Sequence, residues 1–141
     1  MTIELQLEML ARLCLAAFLS MIIGIDRERL DKSAGLRTHM LAGLGACLFT
    51  SIGAFSFNGG DPTRIAAGVV SGIGFLGGGV VYRSENRVRD LTTAASIWAT
   101  AAIGATVAIG GWLLAIGATV LTWFTLAIIR KFEASRFHTK A

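Results

Sequence analysis

The sequence predicts an all-α membrane protein, a bundle of about five transmembrane helices with the N-terminus outside and the C-terminus in the cytoplasm. Three observations predict it. The composition is apolar and poor in charge. Apolar stretches of span length alternate with short polar connections. The basic residues concentrate in alternate connections. Of 141 residues, 54% are hydrophobic and 16% charged, and mean hydropathy is +0.66. Soluble domains sit near about 45–50% apolar and about 25% charged. A soluble chain this short exposes too much of its surface to hide that material from water, whereas lipid covers it.

A helix needs about 20 mostly apolar residues to cross roughly 30 Å of hydrocarbon. The first such segment is 7–25. The N-terminus carries Glu4 and Glu8 and no basic residue before Arg12, the wrong start for a cleavable signal peptide, so the segment reads as a retained span. Arg12 lies within it, and a charge at membrane depth is costly and points to function by default. Glu8 one turn earlier can neutralise it, the side chain can snorkel to the interface, or it can line a polar cavity. The second segment is 39–57. Asp61–Pro62 reads as an N-cap and first helical residue ahead of the third, 65–82. The uncharged stretch 91–129 would be roughly 58 Å long as one helix, about twice the bilayer core. It is expected to fold back at Gly110–Gly111, giving segments 91–109 and 112–129. A single bent helix is the alternative. Asp90 is a candidate cap for segment four, and Trp112 sits where an interfacial anchor belongs. The chain reads as one transmembrane domain, 1–141, with no linker and no internal repeat.

The first connection holds Arg27, Arg29, Lys32 and Arg37, and the second only Arg64. The third holds Arg83, Arg87 and Arg89, and the Gly110–Gly111 turn holds no basic residue. The tail holds Arg130, Lys131, Arg136 and Lys140. The positive-inside rule then gives one orientation for every span. The net charge of +4 is accounted for by topology, so a nucleic-acid face is not expected.

The motifs are mostly packing signals. Gly72-Ile73-Gly74-Phe75-Leu76-Gly77 matches the dinucleotide fingerprint in letters, but that fingerprint needs a strand before it and an acidic residue about 20 positions on. Here it lies inside an apolar span, and no nucleotide partner is expected. Gly68, Gly72, Gly74, Gly77 and Gly78 read as faces for close helix contact. The alternative is that Gly77–Gly79 unwinds and offers carbonyls to an ion, as in broken transporter helices. Cys14 and Cys47 read as small buried hydrophobes. Asp26 and Glu28 carry hard oxygens that suit Mg²⁺, although Arg27 and Arg29 can neutralise them. No other cofactor is implied. Thr92, Thr93 and Ser96 bond backbone carbonyls or line a polar path. His39 and His138 lack metal-ligand spacing. No nucleophile–base constellation is visible, and an enzyme is not expected.

Three blocks resemble the MgtC/SapB family of membrane proteins: Gly24–Arg29 with Lys32–Leu41, Arg64–Gly77, and Leu91–Trp98. The family usually has Glu at Asp26, Gln at Gly68, Ala at Gly78 and Gly at Asp90. The loss of Gln from the third span puts a polar role there in doubt. Many members carry a soluble C-terminal domain, which the sequence after the fifth span does not supply. The resemblance implies a bacterial plasma-membrane protein linked to magnesium limitation. It implies either a regulator of partner membrane proteins or a small Mg²⁺-linked transporter or channel-like protein. A purely structural bundle is the third reading. For the transporter the polar set is Asp26, Glu28, Arg37, Thr38, Thr92 and Thr93 at the cytoplasmic ends with Arg12 from the outside, and His39, Arg64 and Ser96 are further polar candidates; the regulator would bind its partners through the glycine-rich faces. Association into a homo-oligomer through the glycine faces is expected. Few polar residues fall at midplane depth (Ser20, Thr50, Ser71 and Thr100), which favours the regulator.

Overall fold

A computed structural model describes residues 2–55, 62–84 and 87–130. It contains five helices, α1 (Ile3–Arg29), α2 (Leu36–Phe55), α3 (Pro62–Val80), α4 (Leu91–Ala108) and α5 (Trp112–Phe124), with α5 continued by a π-helical turn, Thr125–Ile129. All five are long and apolar enough to cross a membrane, counting α5 with its π extension. Between α3 and α4 stands a short antiparallel hairpin, β1 (Tyr82–Ser84) and β2 (Arg87–Arg89), with Tyr82 opposite Arg89 and Ser84 opposite Arg87. The hairpin is a short addition to an otherwise all-helical bundle. Its sequence alternates β-formers such as Tyr82 and Val88 with polar residues, which suits a short pleated pair.

Helix α1 outruns the expected span at both ends. Thr2 caps its start by accepting the Leu5 N–H (3.3 Å), and Glu4 complements the dipole in the first turn. At the far end the helix runs through Arg29. Asp26, Arg27 and Glu28, expected in a solvated loop, are therefore in its last turn, and Asp31 at φ +52° then reverses the chain. Asp61, the expected cap of α3, lies outside the described residues, as does His138 in the tail. Asp90 departs from its expected role. It occupies the N-cap position of α4 at φ +64°, but its carboxylate makes no backbone capping bond and accepts instead from the Thr93 hydroxyl (3.1 Å). The 91–129 stretch does break into two helices. Gly110 adopts φ +83°, a left-handed turn glycine enters without a Cβ clash.

Helix α4 is the centre of the bundle and touches each of the other four. Its crossing with α2 is close because both helices are glycine there: a Cβ on Gly104 would collide with the Gly43 carbonyl, and one on Gly43 with the Ser20 hydroxyl. Ala16, Leu19, Ile23, Cys47, Ile103, Val107 and Ala115 fill the main core, and Ala42, Ala46, Ile73, Ile97 and Ala101 a second one against α3. Cys14, by contrast, is exposed on the outside of α1. The outer surfaces of α3 and α5 are apolar and uncovered, with Phe75 83% and Leu113 86% exposed. In a bilayer such surfaces face lipid.

Within the chain the α3 glycines make little contact. Gly68, Gly72, Gly74 and Gly78 have open space where a Cβ would go, and only Gly77 touches a neighbour, Ala94 of α4. The helix is also continuous through Gly77–Gly79, so the broken-helix alternative is not realised.

Candidate functional site

The bundle has two polar ends joined by an apolar middle. The first is built where the last turn of α1 meets the starts of α2 and α4. Glu28 Oε2 accepts the Leu36 N–H at 2.8 Å, so the carboxylate caps the otherwise unsatisfied first turn of α2. One turn into α2, His39 is fully buried. Its Nδ1 faces the Gly35 carbonyl at 2.8 Å, and its Nε2 faces the Ser96 hydroxyl of α4 at 2.9 Å. Ser96 Oγ is also 2.8 Å from the Thr93 carbonyl, and the Thr93 hydroxyl donates to Asp90. A polar chain thus runs from Gly35 through His39, Ser96 and Thr93 to Asp90, binding α2 to α4.

Proton accounting constrains this chain. A carbonyl only accepts, so Nδ1 carries a hydrogen. Ser96 has one hydroxyl hydrogen for two acceptors. With a neutral ring that hydrogen goes to Nε2. With a protonated ring, Nε2–H donates to Ser96, whose hydrogen turns to the Thr93 carbonyl. Rotation of one hydroxyl thus suffices to pair the ring in either protonation state, with no heavy atom displaced. Ser96 and His39 form the hydrogen-bonded pair a nucleophile and base would make. Both are buried, however.

Asp26 and Glu28 do not act as a pair. Asp26 Oδ2 accepts from Arg27, and its Oδ1 lies 3.7 Å from Arg130 at the end of α5, while Glu28 turns to α2. Among the described residues no three His, Cys, Asp or Glu side chains gather where they could hold a metal ion. Arg37, Thr38 and Thr92 are exposed at this end, and Thr93 and Ser96 are buried.

The second polar end is centred on Arg12, which is buried. Its Nη2 pairs with Glu8, as the spacing in the sequence offered, and its Nη1 donates to the Ala108 carbonyl at the C-terminus of α4. The guanidinium also lies over the rings of Phe55 (4.9 Å) and Trp112 (5.7 Å). A cation at a helix C-terminus satisfies orphan carbonyls and complements the dipole, so Arg12 locks α1, α2, α4 and the α4–α5 turn together. Its Nε, with Thr50 Oγ1 and Ser51 Oγ, is buried without a hydrogen-bond partner among the described residues. Arg64, in the first turn of α3, is exposed at the same end of the bundle.

Three features escaped sequence reading. His39 was singled out without a role, because its partner Ser96 is 57 positions away. Arg27 is buried to 2% exposure, though the sequence places it among exposed charges. The tight glycines are Gly43 and Gly104, each unremarkable in its own segment. Gly43 has Gly45 two residues on and Gly104 stands among alanines, so neither carries a signal of its own in the sequence.

The MgtC family profile matches residues 13–135. Among similar proteins, the candidate magnesium transporter YhiD of Escherichia coli K12 is 41% identical over 132 residues, covering 88% of this chain and 61% of YhiD. The protein MgtC of Brucella abortus strain 2308 is 40% identical over 117 residues, 82% of this chain and 48% of that protein. The protein MgtC of Salmonella typhimurium is 39% identical over 116 residues, 82% of this chain and 50% of that protein. The chain thus spans about half to three-fifths of these relatives. No solved structure matches. With five span-length helices, the family blocks seated around His39, Ser96 and α3, and a profile match over most of its length, this chain belongs to the MgtC family.

Proposed function

We propose that this protein is a plasma-membrane component of bacterial magnesium homeostasis that acts on partner membrane proteins and does not itself conduct the ion, with its N-terminus outside. The magnesium link follows from family membership and the name of YhiD. One observation carries the regulatory reading: among the described residues, the middle of the bundle offers an ion few free ligands, Thr50 being a buried hydroxyl there left without a partner. Ser20, Thr100 and Thr119, other buried hydroxyls there, return to carbonyls of their own helices, and the side chains around them are aliphatic. A dehydrating Mg²⁺ needs several oxygens in a rigid array.

The outward face of α3 supports association. Ala67, Ser71, Gly74 and Gly78 are all exposed and fall at spacings of four, three and four, a strip of small residues onto which another helix packs closely. A second copy is the simplest partner. The competing reading, a small Mg²⁺ transporter, is favoured by the name of YhiD.

Mg²⁺ flux into proteoliposomes holding only this protein separates the two. The regulatory reading expects flux equal to that of empty vesicles, with folding and orientation checked by protease and thiol accessibility. Flux well above empty vesicles that falls on Asp26→Asn would establish transport instead.

A further inference from the structure

A groove of about 630 Å³ opens between α2 and α3 toward the membrane. Helix α3 leans on α4 through Ile73 and Gly77 and meets α2 through Gly53 and Ile65, which leaves a slot beside it. The walls are apolar: Gly45 and Phe49 on α2, and Gly68, Gly72 and Leu76 on α3. The glycines give the slot its depth, since nothing lies within 4 Å of where a Cβ on Gly45, Gly68 or Gly72 would stand. One end is marked by Arg64, and the other by Thr38.

We infer that this groove holds one acyl chain of an anionic phospholipid, with the headgroup phosphate on Arg64. Length supports this. From Arg64 to Leu76 the groove extends about 18 Å along α3 at 1.5 Å per residue, a little over the roughly 15 Å of one leaflet's hydrocarbon and well short of a full span. Charge supports it as well. Arg64 is exposed and makes no ion pair with another described residue. It sits in the first turn of a spanning helix, at headgroup depth, where the helix dipole also favours an anion. A second copy of this chain is a poorer occupant. Rotation about an axis along the membrane normal keeps both Arg64 residues at one depth, so a symmetric contact through the groove brings like charges together.

The test is lipid retention by the purified full chain, read by native mass spectrometry after exchange from phosphatidylcholine into mixtures containing phosphatidylglycerol. The expected result is one retained phosphatidylglycerol per chain in preference to phosphatidylcholine. Arg64→Gln should lower retention about fivefold, the factor set by one basic residue at an anionic surface, and Arg64→Lys should keep most of it. Gly72→Leu fills the slot at an open position and should abolish retention without lowering the unfolding midpoint. Equal retention of both lipids, or parent-like retention by Arg64→Gln and Gly72→Leu, would overturn the assignment. So would efficient disulfide cross-linking between copies of Gly72→Cys, which would show the groove filled by a second chain.

Discussion

His39 and Arg12 are the two residues through which the helices are tied, and they do it differently. His39 makes two side-chain hydrogen bonds from a site with no solvent access. Truncation to alanine leaves the Ser96 hydroxyl with one partner fewer and opens a void. His39→Ala should therefore destabilise the protein by about 1–3 kcal/mol, read as a lower unfolding midpoint in detergent. Ser96→Ala should cost less, because the ring keeps its bond to Gly35. At the other end, Glu8 is about half exposed and Arg12 buried. Glu8→Gln should cost under about 1 kcal/mol, as exposed ion-pair partners do. Arg12→Met should cost more, since it also strips the Ala108 carbonyl of its donor. A larger loss for Glu8→Gln than for Arg12→Met would contradict this ranking. The Arg12–Glu8 pair was legible because it is local, one turn along a helix. The His39 bridge was not, because nothing in a single sequence reports which residues of α2 and α4 come to the same depth.

Among the elements, the distinction that matters is between glycines that permit contact and glycines that leave space. Gly104→Ala places a methyl group against the Gly43 carbonyl at the bundle's centre. Overpacking of that kind costs about 1–3 kcal/mol. Gly68→Ala fills open space in a helix and should raise stability by up to about 1 kcal/mol through helix propensity. Opposite shifts in the unfolding midpoints of these two variants are the expected outcome. For contacts inside one chain the sequence points to α3, where the glycines are dense, and not to Gly43 and Gly104. Density records a stripe, whereas packing requires a second helix across from it. The α4–α5 break was legible for a sturdier reason: an uncharged stretch about twice the bilayer core has to turn, and Gly110–Gly111 is where it can. The hairpin 82–89 was missed because two three-residue strands carry too little periodicity to stand out from a charged loop.

For the molecule as a whole, span number and the class of fold followed from composition and length, and the family from three local blocks. The proposed orientation places Lys32 on the cytoplasmic side and Trp112 outside. A cysteine introduced at Lys32, in a chain freed of Cys14 and Cys47, should resist impermeant maleimide in intact cells and react after permeabilisation. Labelling without permeabilisation would invert the proposed topology. What no single segment could disclose is the division of the interior into two polar ends and an aliphatic middle, since that division exists only once the helices are set beside one another.

The reach of Arg12 has a consequence for how the protein is made. Its carbonyl partner on α4 lies 96 positions further along the chain, so the first helix enters the membrane with only Glu8 to offset its charge. Until the fourth helix arrives, that arginine is held at the interface or draws water into the bilayer. The ribosome has then committed most of the chain before the first span can settle. Nascent chains halted before residue 91 should hold α1 loosely, shallow and open to solvent, and should seat it only as α4 follows.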